Sequence, residues 1–167
     1  MANDSTEGAD ERELDEIVER LSESQFEEED SEDRRVTEQL ITARIKDAPA
    51  PASGQMEPLA KAETAQWIHI YVKAEWYLAV YKTHAKVWTT SDKKGKKRVP
   101  VPKLSLRTIY TASEYPGDSK EKRNSSYLKI DYTYTGIPGV PKSRVTATGC
   151  CEWNGGGETC LNADTTP

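Results

Sequence analysis

The chain has 167 residues, 35% hydrophobic and 31% charged. A soluble domain usually has roughly 45–50% and 25%, so part of the chain is expected to lie outside any core. There is no run of about 18 apolar residues, which excludes a membrane-spanning helix, and MANDSTEGADERELDEIVERL has neither the basic start nor the apolar run of a secretory signal, so cytoplasmic synthesis is expected.

The net charge of −5 conceals two opposed regions. Residues 1–57 hold 18 acidic and 6 basic residues, with Phe26 as their only aromatic. The rest holds 10 acidic and 17 basic residues, all four Trp and all eight Tyr. Within the acidic region, Asp10 with Glu13 fits a capping box, and Leu14, Ile17, Val18 and Leu21 recur at helical spacing. An amphipathic helix is predicted over about 10–24. The run EEEDSED, Glu27 to Asp33, repels itself and should end it. Val36, Leu40, Ile41 and Ile45 then mark a second stripe, with Arg44 and Lys46 where they suit a helix carboxyl end. Helices this short need a partner surface to persist. DAPAPASGQMEP, Asp47 to Pro58, has linker composition, so residues 1–57 read as an acidic, partly helical arm.

The stretch AQWIHIYVKAEWYLAVYKTHAKVW, Ala65 to Trp88, can be laid out two ways. As a helix it would carry apolar stripes on opposite faces and need burial nearly all round. As a strand it turns Ile68, Ile70, Val72, Ala74, Trp76, Leu78 and Val80 to one side and His69, Lys73 and Glu75 to the other. Its β-branched and aromatic content favours the strand. The phase inverts after Val80, which predicts a bulge, a change of sheet or a pair of strands there. SDKKGKKR, Ser91 to Arg98, reads as a hairpin connection tipped by Gly95. Val99 opens a return strand with Leu104, Leu106, Thr108 and Tyr110 on one face, and Pro100 and Pro102 suit its start. SEYPGDSKEKRNS reads as a loop, SYLKIDYTYTG as the most regular strand, GIPGVP as a turn and KSRVTATG as a short last strand. The fold predicted is mainly β, a small antiparallel sandwich or barrel of about five strands over residues 58–152, with a flexible tail at 153–167.

Chemistry is harder to find. Cys150, Cys151 and Cys160 are odd in number and contain no CxxC pair; no disulfide framework and no metal site with His69 or His84 is expected. The two histidines make no evident base and nucleophile pair, and no P-loop, GxSxG, GxGxxG or HExxH motif occurs. No enzyme activity and no cofactor are expected.

Binding is the better reading. Trp67, Tyr71, Tyr77 and Tyr81 are predicted to form an aromatic face opposite the core, and a soluble monomer rarely leaves such a patch bare. Lys93, Lys94, Lys96, Lys97 and Arg98 form the densest basic cluster. The leading expectation is a structural or interaction protein that self-assembles or docks on a protein partner through that face, an assembly subunit of a virus or phage particle being one form. One alternative is a carbohydrate- or nucleic-acid-binding module that the acidic arm autoinhibits. Another is an acidic inhibitor or regulator in which the arm itself binds.

Overall fold

The structure, a computed structural model, describes residues 12–19, 25–31, 34–46, 64–77, 80–111, 116–135, 144–153 and 157–167, with residues 25–31 as backbone alone. Among these residues one helix, α1 (12–19), precedes nine strands: β1 (Gln25–Ser31), β2 (Arg34–Arg44), β3 (Trp67–Tyr77), β4 (Val80–Thr90), β5 (Val101–Tyr110), β6 (Ser119–Ser125), β7 (Tyr127–Thr135), β8 (Val145–Glu152) and β9 (Glu158–Thr165). They form two antiparallel sheets, ordered β1-β2-β3-β4-β7 and β6-β5-β8-β9. The fold is therefore mainly β, as predicted, but with more strands than the five expected.

The sheets pack as a sandwich. Ile68, Ile70, Val72 and Ala74 of β3 face inward with Ala85 and Val87 of β4, against Leu104 and Leu106 of β5 and Val145 and Ala147 of β8. All are buried, and each large aliphatic side chain contributes on the order of 1.5–3 kcal/mol by leaving water. The sheets come so close that a Cβ on Gly149 would lie 2.6 Å from Val87 Cγ2 and 3.2 Å from Ile70 Cδ1.

The tryptophan-rich run is two strands, β3 and β4, which pair from Trp67↔Thr90 to Tyr77↔Val80. The phase inversion in the sequence is the hairpin between them. Tyr81 consequently faces the core, where it meets Tyr110 edge-on at 6.4 Å, and does not join the outer aromatic face.

Five other expectations are corrected. The second arm helix is instead β2, in register with β3 from Arg34↔Tyr77 to Arg44↔Trp67. The acidic run carries the backbone of β1, and the sandwich therefore begins well before residue 58. The loop expected at 113–125 contains β6, and the tail contains β9. Cys150 and Cys160 face each other across β8 and β9 in a disulfide, because antiparallel pairing sets two cysteines ten residues apart directly opposite. Cys151 points the other way into the core, where burial pushes its thiol up to about 12. The Pro/Ala linker and the GIPGVP turn lie outside the described residues.

Candidate functional site

The odd positions of β3 and the even positions of β4 point away from the core and build the outer face of the five-stranded sheet. His69 pairs with Trp88 and Tyr71 with Lys86. An antiparallel sheet can leave one face to water. The four-stranded sheet does so, its outer side carrying Lys103, Ser105, Arg107, Thr148 and Asn162. The five-stranded sheet does not. Its outer face is covered by α1, whose Leu14 and Ile17 are buried against Leu40, Tyr71 and Trp88, with Val18 and Tyr127 alongside.

Charge reinforces the fit. Glu13 Oε2 lies 3.5 Å from Lys86 Nζ, and Lys86 is only 3% exposed beneath the helix. Glu19 Oε2 accepts from Lys96 Nζ at 3.1 Å, a contact that holds the Lys96 ammonium above its usual range. Tyr71 donates its hydroxyl proton to Glu38 Oε1. Beside α1 a cleft of about 190 Å³ is lined by Glu13, Glu16, Lys73, His84 and Lys86. At its edge His84 Nδ1 and Asp131 Oδ1 are 2.7 Å apart. Burial alone would raise the Asp131 carboxyl, but the hydrogen bond and charge of His84, with Lys86 and Lys129, leave it lowered.

The basic segment is not a hairpin tip in solvent. β4 and β5 belong to different sheets, and residues 91–98 fold back over the outer face before crossing between them. Trp88 Nε1 donates to Gly95 O at 3.1 Å, and Gly95, at φ 83°, is buried against the rings of His69 and Trp88. Asp92 accepts from the backbone N–H groups of Lys96 and Lys97 and sets the turn. Thr90 has one hydroxyl proton and gives it to Asp92 O at 2.6 Å, so His69 Nε2, 2.8 Å from the same oxygen, is the donor between them. Nδ1 then accepts from Thr42 Oγ1 at 2.8 Å. Burial keeps the His69 ring neutral, its pKa lowered to about 4 by desolvation against the weaker opposing charge of Asp92.

The predicted site residues are thereby divided. Tyr71 lies under α1; Trp67 lies between Arg44 at 5.9 Å and Lys93 at 5.6 Å; Arg98 lies 5.6 Å over Tyr127. Lys93, Lys94, Lys96 and Lys97 are exposed along the loop. Tyr77, 47% exposed, stands at the far end of the sheet beside Arg34, Glu75 and Lys82, and Tyr81 belongs to the core. Sequence reasoning set His69 on the outer side of β3 but missed Trp88, Lys86 and Gly95 as parts of this face. For Trp88 and Lys86 the signal was the alternation within β4, read from its pairing with β3 at Tyr77↔Val80; Gly95 had none of that kind.

Among the described residues no metal-ligand set accompanies them. The cluster of Cys150, Glu158 and Cys160 on the other sheet has both sulfurs bonded to each other. Among the described residues no helix is long and apolar enough to cross a membrane. Comparison with protein-family models, curated proteins and solved structures finds no match to this chain.

Proposed function

We propose that this chain is a non-enzymatic interaction protein that binds its partner through the outer face of the five-stranded sheet, and that α1 is the intramolecular stand-in for that partner. The observation that carries the reading is the seating of α1, with Leu14 and Ile17 between Leu40, Tyr71 and Trp88 and Glu13 and Glu19 on Lys86 and Lys96. A face that holds an acidic amphipathic helix of its own suits such a helix from another protein or from a neighbouring copy. Exchange of α1 between copies is the form this takes in an assembly, a virus or phage particle included. Against catalysis, His69 is neutral and buried between two threonines, and His84 is paired with a carboxylate rather than a nucleophile.

A second reading, nucleic-acid binding, is favoured by the cation and ring contacts of Arg44 and Lys93 with Trp67, Lys86 with Tyr71 and Arg98 with Tyr127. A sugar platform is less well supported, since Tyr71 and Trp88 are buried.

The test uses the full chain carrying Leu14→Asp and Ile17→Asp, which unseats α1. A fluorescent peptide of residues 10–22 and a single-stranded oligonucleotide are titrated against it and against the unsubstituted chain. The expected result is peptide binding about tenfold or more tighter to the variant, because the unsubstituted face is already filled. Oligonucleotide binding without peptide binding selects the second reading, and binding of neither rejects both.

A further inference from the structure

On the outer face of the four-stranded sheet, β8 and β9 set Glu152 opposite Glu158, Cys150 opposite Cys160 and Thr148 opposite Asn162. Thr148 Oγ1 donates to Asn162 Oδ1 at 2.7 Å, and Lys103 Nζ lies 3.4 Å from Glu152 Oε2. Beside these pairs the two cysteine sulfurs and the Glu158 carboxylate form a triad whose ligand atoms all lie within 4.8 Å of one another. Joined in a disulfide, the sulfurs are poor ligands. As thiolates they are the ligands that zinc prefers.

We propose that this face carries a redox-gated zinc site, in which reduction of Cys150–Cys160 frees two thiolates that bind Zn²⁺ together with Glu158, water taking the fourth position. The two thiols of a dithiol reductant supply two electrons and two protons, leave as a disulfide and convert Cys150 and Cys160 into thiols. Zn²⁺ then displaces both protons and keeps its oxidation state. In the reverse direction a two-electron oxidant such as a peroxide closes Cys150 onto Cys160 and expels the ion. Disulfide and zinc are thus alternative occupants of one place.

The geometry suits the ion. Two sulfurs on a tetrahedral zinc lie about 3.8 Å apart at bonds of about 2.3 Å, so the triad needs to change by on the order of an ångström or two, within reach of side-chain rotation. Glu158 and Cys160 are exposed and Cys150 is half-buried, open both to a reductant and to an ion. The frame does not depend on the sulfurs. β8 and β9 pair from Val145↔Thr165 to Glu152↔Glu158, Trp153 N donates to Gly157 O at 3.2 Å, and Lys46 N donates to Thr159 Oγ1 at 2.8 Å. The site lies on the sheet away from α1 and stands whatever binds there.

The test uses the full chain, reduced with dithiothreitol, freed of it without air and titrated with Co²⁺, whose near-ultraviolet and visible bands report tetrahedral thiolate ligation. The reduced chain should show these bands at one ion per chain and lose them to Zn²⁺, and the disulfide form should show none. Cys160→Ser should abolish the bands, and Glu158→Gln should weaken Zn²⁺ binding about tenfold or more. Hydrogen peroxide should release the bound Zn²⁺. A reduced chain without the bands overturns the proposal, as does one whose β8 amides lose their protection from exchange, because the ligands then have no frame. Bands undiminished in Cys160→Ser, or Zn²⁺ affinity unchanged in Glu158→Gln, overturn it as well. Glu158→Gln keeps the disulfide and can be folded before it is reduced, so a Cys160→Ser chain that fails to fold does not rescue the idea.

Discussion

His69 marks the change in character of the outer face, since a side chain on the solvent side of a two-layer sandwich has become interior. In the unfolded chain it titrates near 6.5, whereas in the folded chain desolvation holds it to about 4. Between those values the unfolded state takes up a proton that the folded state refuses, so this contribution is complete above pH 6.5 and is lost as pH falls toward 4. The loss is about 2 kcal/mol between pH 6.5 and 5, at 1.36 kcal/mol for each unit. Urea unfolding at those two pH values should show it, and His69→Gln should flatten the difference. Gly95 gives a second prediction at this scale. Its φ of 83° and the His69 and Trp88 ring atoms 3.2–3.3 Å from any added Cβ mean that Gly95→Ala should cost about 1–2 kcal/mol from backbone strain alone, read as a lower midpoint in urea. Neither role was legible in the sequence. His69 looked like a polar surface residue because its cover, α1 and residues 91–98, comes from distant parts of the chain.

At the scale of elements, α1 has eight residues, too few to persist on its own, and it holds its shape through what it buries. Ile17→Ala should weaken its seating by about 2 kcal/mol, the low end for a buried aliphatic truncation. Amide exchange over residues 12–19 should then quicken about thirtyfold while the β3 amides keep their protection. Equal quickening in both would mean that helix and sandwich open together. The helix itself was readable from Leu14, Ile17 and Val18. β2 was not, because it is buried on both faces: Val36 and Leu40 turn outward toward the helix side while Ile41 and Ala43 turn toward the core. Two-sided burial erases the alternation that identifies a strand, and the leftover spacing resembles a helix. β3, β5 and β7 each keep a polar side along part of their length and were correctly located. β6 is a strand through its pairing with β5 rather than through any apolar pattern of its own.

At the scale of the whole molecule, the sequence divides into an acidic and a basic region, but the fold does not respect that border, because β2 from the acidic part is an inner strand of the larger sheet, paired along its length with β3. Composition located the charge and not the domain. The disulfide was missed for a related reason: an odd cysteine count says nothing about which pair a hairpin will bring face to face. Reducing Cys150–Cys160, which closes a ten-residue interval, should lower stability by about 2–3 kcal/mol, measured as a shift of the urea midpoint with and without a thiol reductant. The seat of α1 is assembled from Leu40, Tyr71, Trp88 and Tyr127, the last of which follows the helix by more than a hundred positions. During translation the helix therefore leaves the ribosome long before its berth exists. Through that interval the nascent chain trails an unseated acidic segment beside newly made aromatic strands, and any ribosome-bound factor that captures acidic helices would meet it then.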